Sequence, residues 1–182
     1  MENKIIFQTT TKSGKKVSFR YVTLKDACLV MNYINKISAE KTFIRMQGIQ
    51  KTLKEEKTWI KNFLKNKDKL VIIGAFVEKE VIGIGDISLG YGATNHVGDF
   101  GITVAKKFRG EGIGKKLMEL VIQKSIENIK DLKIITLEVF GNNPIAQNLY
   151  KKMGFIEYGR LPGGLKRQGE FVDEILMYKK IK

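Results

Sequence analysis

The stretch from Val104 to Gln123, "VAKKFRGEGIGKKLMELVIQ", decides how the chain is read. A β-rich apolar run closes at its start and an amphipathic run opens after it, with Gly110, Gly112 and Gly114 at alternate positions between them. Glycine loses more backbone freedom on folding than any other residue, so it is kept where a left-handed conformation or a close approach is needed. Lys106, Lys107, Arg109, Lys115 and Lys116 flank these glycines. A helix N-terminus presents unpaired N–H groups and the positive end of the helix dipole, so a glycine-rich strand-to-helix junction has the chemistry of a phosphate cradle. Two familiar cradles do not fit. G-x-G-x-x-G fails because Lys115 stands at its last glycine, and the P-loop fails because Arg109 and Lys116 occupy its first glycine and its hydroxyl position.

Working outward, "KIIFQTT" and "KVSFRYV" read as two strands joined by a turn at Lys12 to Lys15. Thr23 with Asp26 opens a helix whose Leu24, Ala27, Cys28, Met31 and Ile34 recur at helical spacing. After the polar segment "SAEKTFIRMQGIQK", Thr52 with Glu55 opens a second helix with a stripe of Trp59, Ile60, Phe63 and Leu64. "LVIIGAFV", "EVIGIGDISLG" and "HVGDFGITVA" are strands, and the glycine loop leads into a helix from about Gly112 to Ile126. "KIITLEVF" is a strand, "NPIAQNLYKKM" a helix, and "FIEYGRL" with "EFVDEILMYK" a closing strand pair turned at Pro162 to Gly164. The order ββααβββαβαββ implies an α+β, α/β-like fold, a sheet flanked by helices. No repeat or linker divides it, so the expectation is one domain over residues 1–182.

Composition narrows the classes. With 43% hydrophobic and 29% charged residues the chain reads as an ordinary globular protein, and no window has the run of about 20 apolar residues that a membrane span needs. The single Cys28 excludes an internal disulfide, which fits a cytoplasmic location. One cysteine and one histidine, His96, leave no usual zinc set, so no metal is expected. The net charge of +14 permits a polyanionic partner, yet the lysines are scattered along the chain as on a solvated surface. A nucleic-acid-binding role lacks a recognisable aromatic-basic motif and ranks last.

A second signature accompanies the glycine loop. Arg109-Gly-Glu-Gly112-Ile-Gly114 has the form R/Q-x-x-G-x-G/A, and "LEVFGNNPIAQNLYKKMGF" runs strand, N-x-x-A-x-x-L-Y, then G-F. Together they closely resemble the GNAT superfamily of acyl-CoA N-acyltransferases along nearly the whole chain, with residues 4–10 an extra hairpin strand outside the minimal core. The resemblance implies a mixed, mostly antiparallel central sheet flanked by helices, and acetyl-CoA as co-substrate. It implies that the backbone from Arg109 through Gly110, Glu111, Gly112, Ile113 and Gly114 to Lys115 holds the coenzyme A pyrophosphate. Ile102, Thr103 and Val104 would pair with the pantetheine arm, and Asn143 would reach the cofactor's polar groups. Tyr150 would lie near the sulfur.

An alkylamine has a pKa of about 10.4 and must lose a proton before it attacks, so a base is useful. Glu138 is the first candidate, because its L-E-V setting resembles that of ribosomal-protein alanine acetyltransferases; Asp99 is the second. A backbone N–H such as that of Val104 would face the developing oxyanion, and the Tyr150 phenol would protonate the thiolate. Cys28, among apolar residues, is read as inert, so transfer is direct. The resemblance sets the 38–51 segment and the region from Arg160 to Gly169 around the acceptor, and their basic residues favour an acceptor carrying a carboxylate or phosphate. The expected activity is acetyl transfer to a primary amine, either a small molecule or a protein N-terminus. A coenzyme A-binding module without catalysis is the alternative, and a homodimer stays open.

Overall fold

The computed structural model describes residues 4–40 and 42–181, so the outermost ends of the expected domain and Lys41 lie outside the described residues. Among the described residues, twelve α-helices and β-strands follow in the expected order. They are β1 (Ile5–Thr10), β2 (Lys16–Tyr21), α1 (Ala27–Ala39), α2 (Leu53–Lys65), β3 (Leu70–Val77), β4 (Glu80–Leu89), β5 (Val97–Val104), α3 (Ile113–Asn128), β6 (Ile134–Phe140), α4 (Pro144–Lys152), β7 (Ile156–Arg167) and β8 (Glu170–Lys180). The strands form one sheet in the order β1-β2-β3-β4-β5-β6-β8-β7. Every neighbouring pair is antiparallel except β5 with β6, which is parallel. This is the mixed, mostly antiparallel sheet the resemblance implies.

α3 crosses one face of the sheet, bringing Leu117 and Val121 down onto Gly83 and Gly85 of β4. A side chain at either glycine would meet atoms 3.1 to 3.4 Å away, so the small residues set how closely the helix lies. α1 covers the other face, where its Tyr33 hydroxyl donates to Thr103 of β5 at 2.9 Å.

The stripe of α1 differs from the one read in the sequence. Ala27, Val30, Tyr33 and Ile37 are buried, while Leu24 and Cys28 are exposed. The segment is apolar on nearly every side, so spacing alone did not fix its rotation; Cys28 is a surface thiol rather than a core one. In α2, Ile60 and Phe63 are buried as expected, but Leu64 is exposed and Glu56 is buried.

The closing hairpin also differs. β7 runs straight through Pro162 to Gly164, where its register with β8 shifts between Leu161 and Leu165. The turn lies at Gln168 and Gly169, both left-handed at φ 52° and 91°. A two-residue hairpin turn of type I′ needs positive φ at both positions. The Pro-Gly-Gly run makes a bulge instead, anchored by the Gly163 N–H donating to Asp173 at 3.2 Å.

At the start of α1, Asp26 accepts two hydrogen bonds from the Arg20 guanidinium, each at 2.8 Å, and two from Thr23. The guanidinium stacks on Phe76, 3.7 Å from the ring centre. Burial raises the Asp26 pKa, but the bonds from Arg20 and Thr23 outweigh it and hold the carboxyl below its usual value. Asp26→Ala would strand a nearly buried guanidinium, and the expected loss of stability is about 3 kcal/mol by chemical denaturation. A loss under about 1 kcal/mol would reduce the pair to the worth of a surface contact.

Candidate active site

β5 and β6 pair only where Val97–Asp99 lies beside Ile134–Thr136. Beyond that point β5 keeps β4 as its one neighbour as far as Val104, and β6 keeps β8 as far as Phe140. The strands therefore open a wedge with Asp99 and Thr136 at its apex. The Ala105 N–H donates to the Ile82 carbonyl at 2.9 Å. That bond fixes the phase of the ladder, because alternate residues of an antiparallel strand bond to the same neighbour. Thr103 and Gly101 turn their N–H and C=O groups to β4, whereas Ile102 and Val104 turn theirs into the wedge. The Val104 carbonyl accepts from Arg109 Nε at 2.9 Å. The N–H groups of Ile102 and Val104 face the gap, in position to pair with an extended chain.

The glycine loop closes the mouth of the wedge. Gly110 and Gly112 are left-handed at φ 77° and 79°, and Gly112 is the N-cap of α3. A Cβ at either would have nothing within 4 Å, so backbone conformation, not crowding, demands glycine there. The Lys116 N–H donates back to the Gly112 carbonyl at 3.1 Å, which leaves the N–H groups of Ile113, Gly114 and Lys115 directed out of the helix start. Arg109 plays another part. Its N–H goes to the Lys106 carbonyl at 3.3 Å, and its guanidinium reaches Glu40 at the end of α1 at 2.8 Å. It is a strut among α1, β5 and the loop, and its amide is not one of the open donors. Glu111 accepts from the Lys12 N–H at 2.7 Å, and Lys12 Nζ donates to the Gly110 carbonyl at 3.3 Å. The extra N-terminal hairpin thus braces the loop.

Asn143 caps α4, its Oδ1 accepting from the Ala146 N–H at 3.2 Å, so that oxygen is already engaged. Tyr150 is buried beside Phe100 and Phe155, with ring centres 6.4 and 6.2 Å away. Burial pushes its phenol up to about 12. Among the described residues its hydroxyl has no hydrogen-bond partner.

Strand alternation puts Asp86 of β4, Asp99 and Gly101 of β5, Glu138 of β6 and Glu174 of β8 on the opposite face, the one α1 covers in part. They floor a trough whose wall is the 42–51 segment. Phe43 packs edge-on against Phe140 at 5.7 Å and lies under the Arg167 guanidinium at 4.2 Å, and Gln47 Nε2 donates to the Lys166 carbonyl at 3.3 Å. The two segments expected around the acceptor therefore touch. Two of their arginines are engaged: Arg45 pairs with Glu138 and, at 3.3 Å, with Glu174, while Arg160 pairs with Glu157 and Asp173. The surface they enclose is acidic, not basic.

Asp99 and Asp86 have no hydrogen-bond partner among the described residues. Partial desolvation raises the Asp99 carboxyl above its usual value, against the pull of Arg45. Burial, with Asp99 nearby, pushes Asp86 up to about 7. Sequence reading missed Asp86, Arg45 and Glu174. Only Asp86 carried a signal, as the one charged residue inside the apolar run from Val81 to Leu89. A separate cleft of about 1120 Å³, between the first hairpin, α1 and the β3–β4 turn, includes Tyr33 but none of the trough's carboxylates. Among the described residues no group of His, Cys, Asp or Glu is placed to hold a metal ion, and no helix is long and apolar enough to cross a membrane.

Comparison with known proteins matches residues 36–155 to the model of the acetyltransferase (GNAT) family. The L-amino acid N-acetyltransferase AaaT of Escherichia coli K12 is 36% identical over 83 residues, 46% of this chain and 51% of that protein. The match thus spans about half the length of that relative. Among solved structures, a GNAT-family acetyltransferase from Streptococcus pneumoniae superposes with a TM-score of 0.84 at 28% identity, covering 91% of this chain and 99% of that one. An acetyltransferase from Salmonella typhimurium, solved with its cofactor acetyl-CoA, gives 0.81 at 13% identity, covering 91% and 94%; at that identity it speaks for the fold alone.

Proposed function

The chain belongs to the acetyltransferase (GNAT) family, and from that premise we propose that it transfers an acetyl group from acetyl-CoA directly to a primary amine. The observation that carries the reading is the wedge. Its inward N–H groups and the open start of α3 lie along one path, with an unpaired carboxylate at the apex. These groups fit the cofactor's chemistry, because N–H donors suit amide and phosphate oxygens and the left-handed glycines leave open space in front of the helix start. Ile102 and Val104 would hold the pantetheine arm, and Gly112 to Lys115 the pyrophosphate. Lys106 and Lys107, exposed beside the loop, add positive charge.

Bound acetyl-CoA supplies the activated acyl carbon. Asp99 takes a proton from the acceptor nitrogen as that nitrogen approaches from the trough. Asp99 is preferred to Glu138 because it is unpaired, whereas Glu138 is held by Arg45. Of the two inward N–H groups, that of Ile102 is the nearer to the apex and would face the oxygen on which negative charge develops, leaving that of Val104 to the pantetheine arm. Tyr150, on the far side of the wedge, gives its proton to the departing thiolate.

The test is release of free thiol from acetyl-CoA in the presence of a panel of primary amines, with the product mass confirming acetylation. L-Amino acids head the panel, given the local likeness to AaaT, followed by diamines and N-terminal peptides. Acetyl-CoA binding with no acceptor acetylated would leave a coenzyme A-binding module. Within this reading, Gly112→Val should weaken acetyl-CoA binding about tenfold or more in calorimetry, since a β-branched residue at φ 79° strains the loop by on the order of 1–3 kcal/mol. Unchanged affinity would remove the loop from the binding site.

A further inference from the structure

An alkylamine with a pKa of about 10.4 reaches the site as an ammonium at neutral pH. Its nitrogen carries three hydrogens, and the product amide nitrogen carries one. As the carbon–nitrogen bond forms and the carbon–sulfur bond breaks, two protons must therefore leave the nitrogen. One makes good, through water, the proton that Tyr150 gives to the coenzyme A sulfur, and the other goes to solvent. A single carboxylate that has taken the first proton cannot take the second until it is relieved.

The trough holds a second carboxylate where that relief is needed. Asp86 lies directly across from Gly101, and Asp99 directly across from Ser88, so the two aspartates are diagonal neighbours on one face. Diagonal pairs in an antiparallel ladder have Cα atoms about 7–8 Å apart and Cβ atoms somewhat closer, a spacing at which one carboxylate feels the charge of the other. Gly101 provides the room: a Cβ there would stand 3.1 Å from Asp86 Oδ1, so the bare Cα lets that carboxyl lie over β5, on the same strand and face that carry Asp99 two residues away. We propose that Asp86 is the proton-holding partner of Asp99, the two carboxylates together receiving both protons that the acceptor nitrogen sheds. The proposal rests on acetyl transfer to an amine as the activity of this site.

The surroundings of Asp86 suit that role. β5 contributes Asp99, whose like charge holds a proton on the pair, and β3 contributes the apolar Ile72 opposite. Further along β5, Tyr33 of α1 is bonded to Thr103, and Arg45 of the 42–51 segment acts on Asp99, so neither of these groups offsets the burial of Asp86. With its carboxyl near 7, Asp86 keeps or yields a proton in the range where the enzyme would work. The sign for folding is set by the same shift. A carboxyl raised from 3.8 adds stability at acid pH that is lost as pH rises through about 7.

The test compares kcat/KM across neutral pH for the wild type, Asp86→Asn and Gly101→Ala, using the best amine of the panel. The wild-type rate should climb through two ionisations, the upper near pH 7. Asp86→Asn should lose the upper step and fall about tenfold on its alkaline side, less than the loss of a whole general base. Gly101→Ala, which keeps Asp86 but displaces its carboxyl, should change the profile in the same direction. Carbon NMR of the aspartate carboxyls gives a readout without turnover: the Asp86 midpoint should drop in Asp99→Asn as the like charge is removed. An active Asp86→Asn enzyme with the wild-type profile, or an Asp86 resonance indifferent to Asp99→Asn, would overturn the proposal. A wild type that acetylates no amine would instead fell the reading of the site, and the proposal with it, while the NMR still reports whether the pair is coupled.

Discussion

Tyr150→Phe is expected to lower the turnover number by about a hundredfold or more, the usual worth of general acid help, with little change in stability or in the KM for acetyl-CoA. The ring is fixed by Phe100 and Phe155, and phenylalanine keeps both contacts. The hydroxyl has no partner among the described residues, so its removal breaks no internal hydrogen bond. What is lost is a proton donor, and that loss is felt in the transition state rather than in ground-state binding. Because burial pushes the phenol up to about 12, the group stays protonated throughout the working range. The wild type should therefore show no alkaline fall from Tyr150 below about pH 10. The measurement is steady-state kinetics on the variant with chemistry shown to limit the rate. A near-normal turnover would leave Tyr150 as a packing residue, with water delivering the proton.

The parts of this site that were legible in the sequence are those governed by local rules. The glycine loop calls for a left-handed conformation or a close approach, and Gly112, the N-cap of α3, takes the left-handed one. The strand and helix order follows from period and punctuation, and the twelve elements stand in that order even where the bounds of β7 differ. Legibility failed where two surfaces compete for one segment. The first helix is apolar nearly all round, so only the sheet beneath it decides that Val30 and Tyr33 turn inward while Cys28 turns out. At Pro162 to Gly164, residues typical of a turn are overridden by the ladder with β8, and Gln168 takes a left-handed turn position its type does not advertise.

Electrostatics was the least legible layer. Basic residues near the acceptor suggested an anionic acceptor, but counting charges along a segment does not say whom they meet. Arg160 is spent on Glu157 and Asp173, and Arg45 on Glu138 and Glu174. The carboxylates left over come from β4 and β5 and are brought together only by register. Their partner state, absent from the sequence, decides which of them is free to act as a base.

That distinction sets the remaining large effect. Asp99→Asn should lower kcat/KM by about a hundredfold or more at neutral pH, while Glu138→Gln should cost only a few-fold, mainly through a looser acceptor site. Asp99 has no hydrogen bond to lose and its carboxyl is already raised by partial burial, so the amide variant should fold as well as the wild type. Glu138→Gln removes one partner of Arg45 but leaves Glu174 to hold it. The pH dependence sharpens the comparison. Without its base the site must wait for amine deprotonated by solvent, so the Asp99→Asn rate should keep rising with pH toward the amine's own pKa of about 10.4. The wild type should level off well before that. Both variants, assayed with one amine over one pH series, decide the matter. If Glu138→Gln shows the steep loss and the continued rise, the base lies on β6, Arg45 must release it on acceptor binding, and the ranking drawn from the L-E-V segment stands.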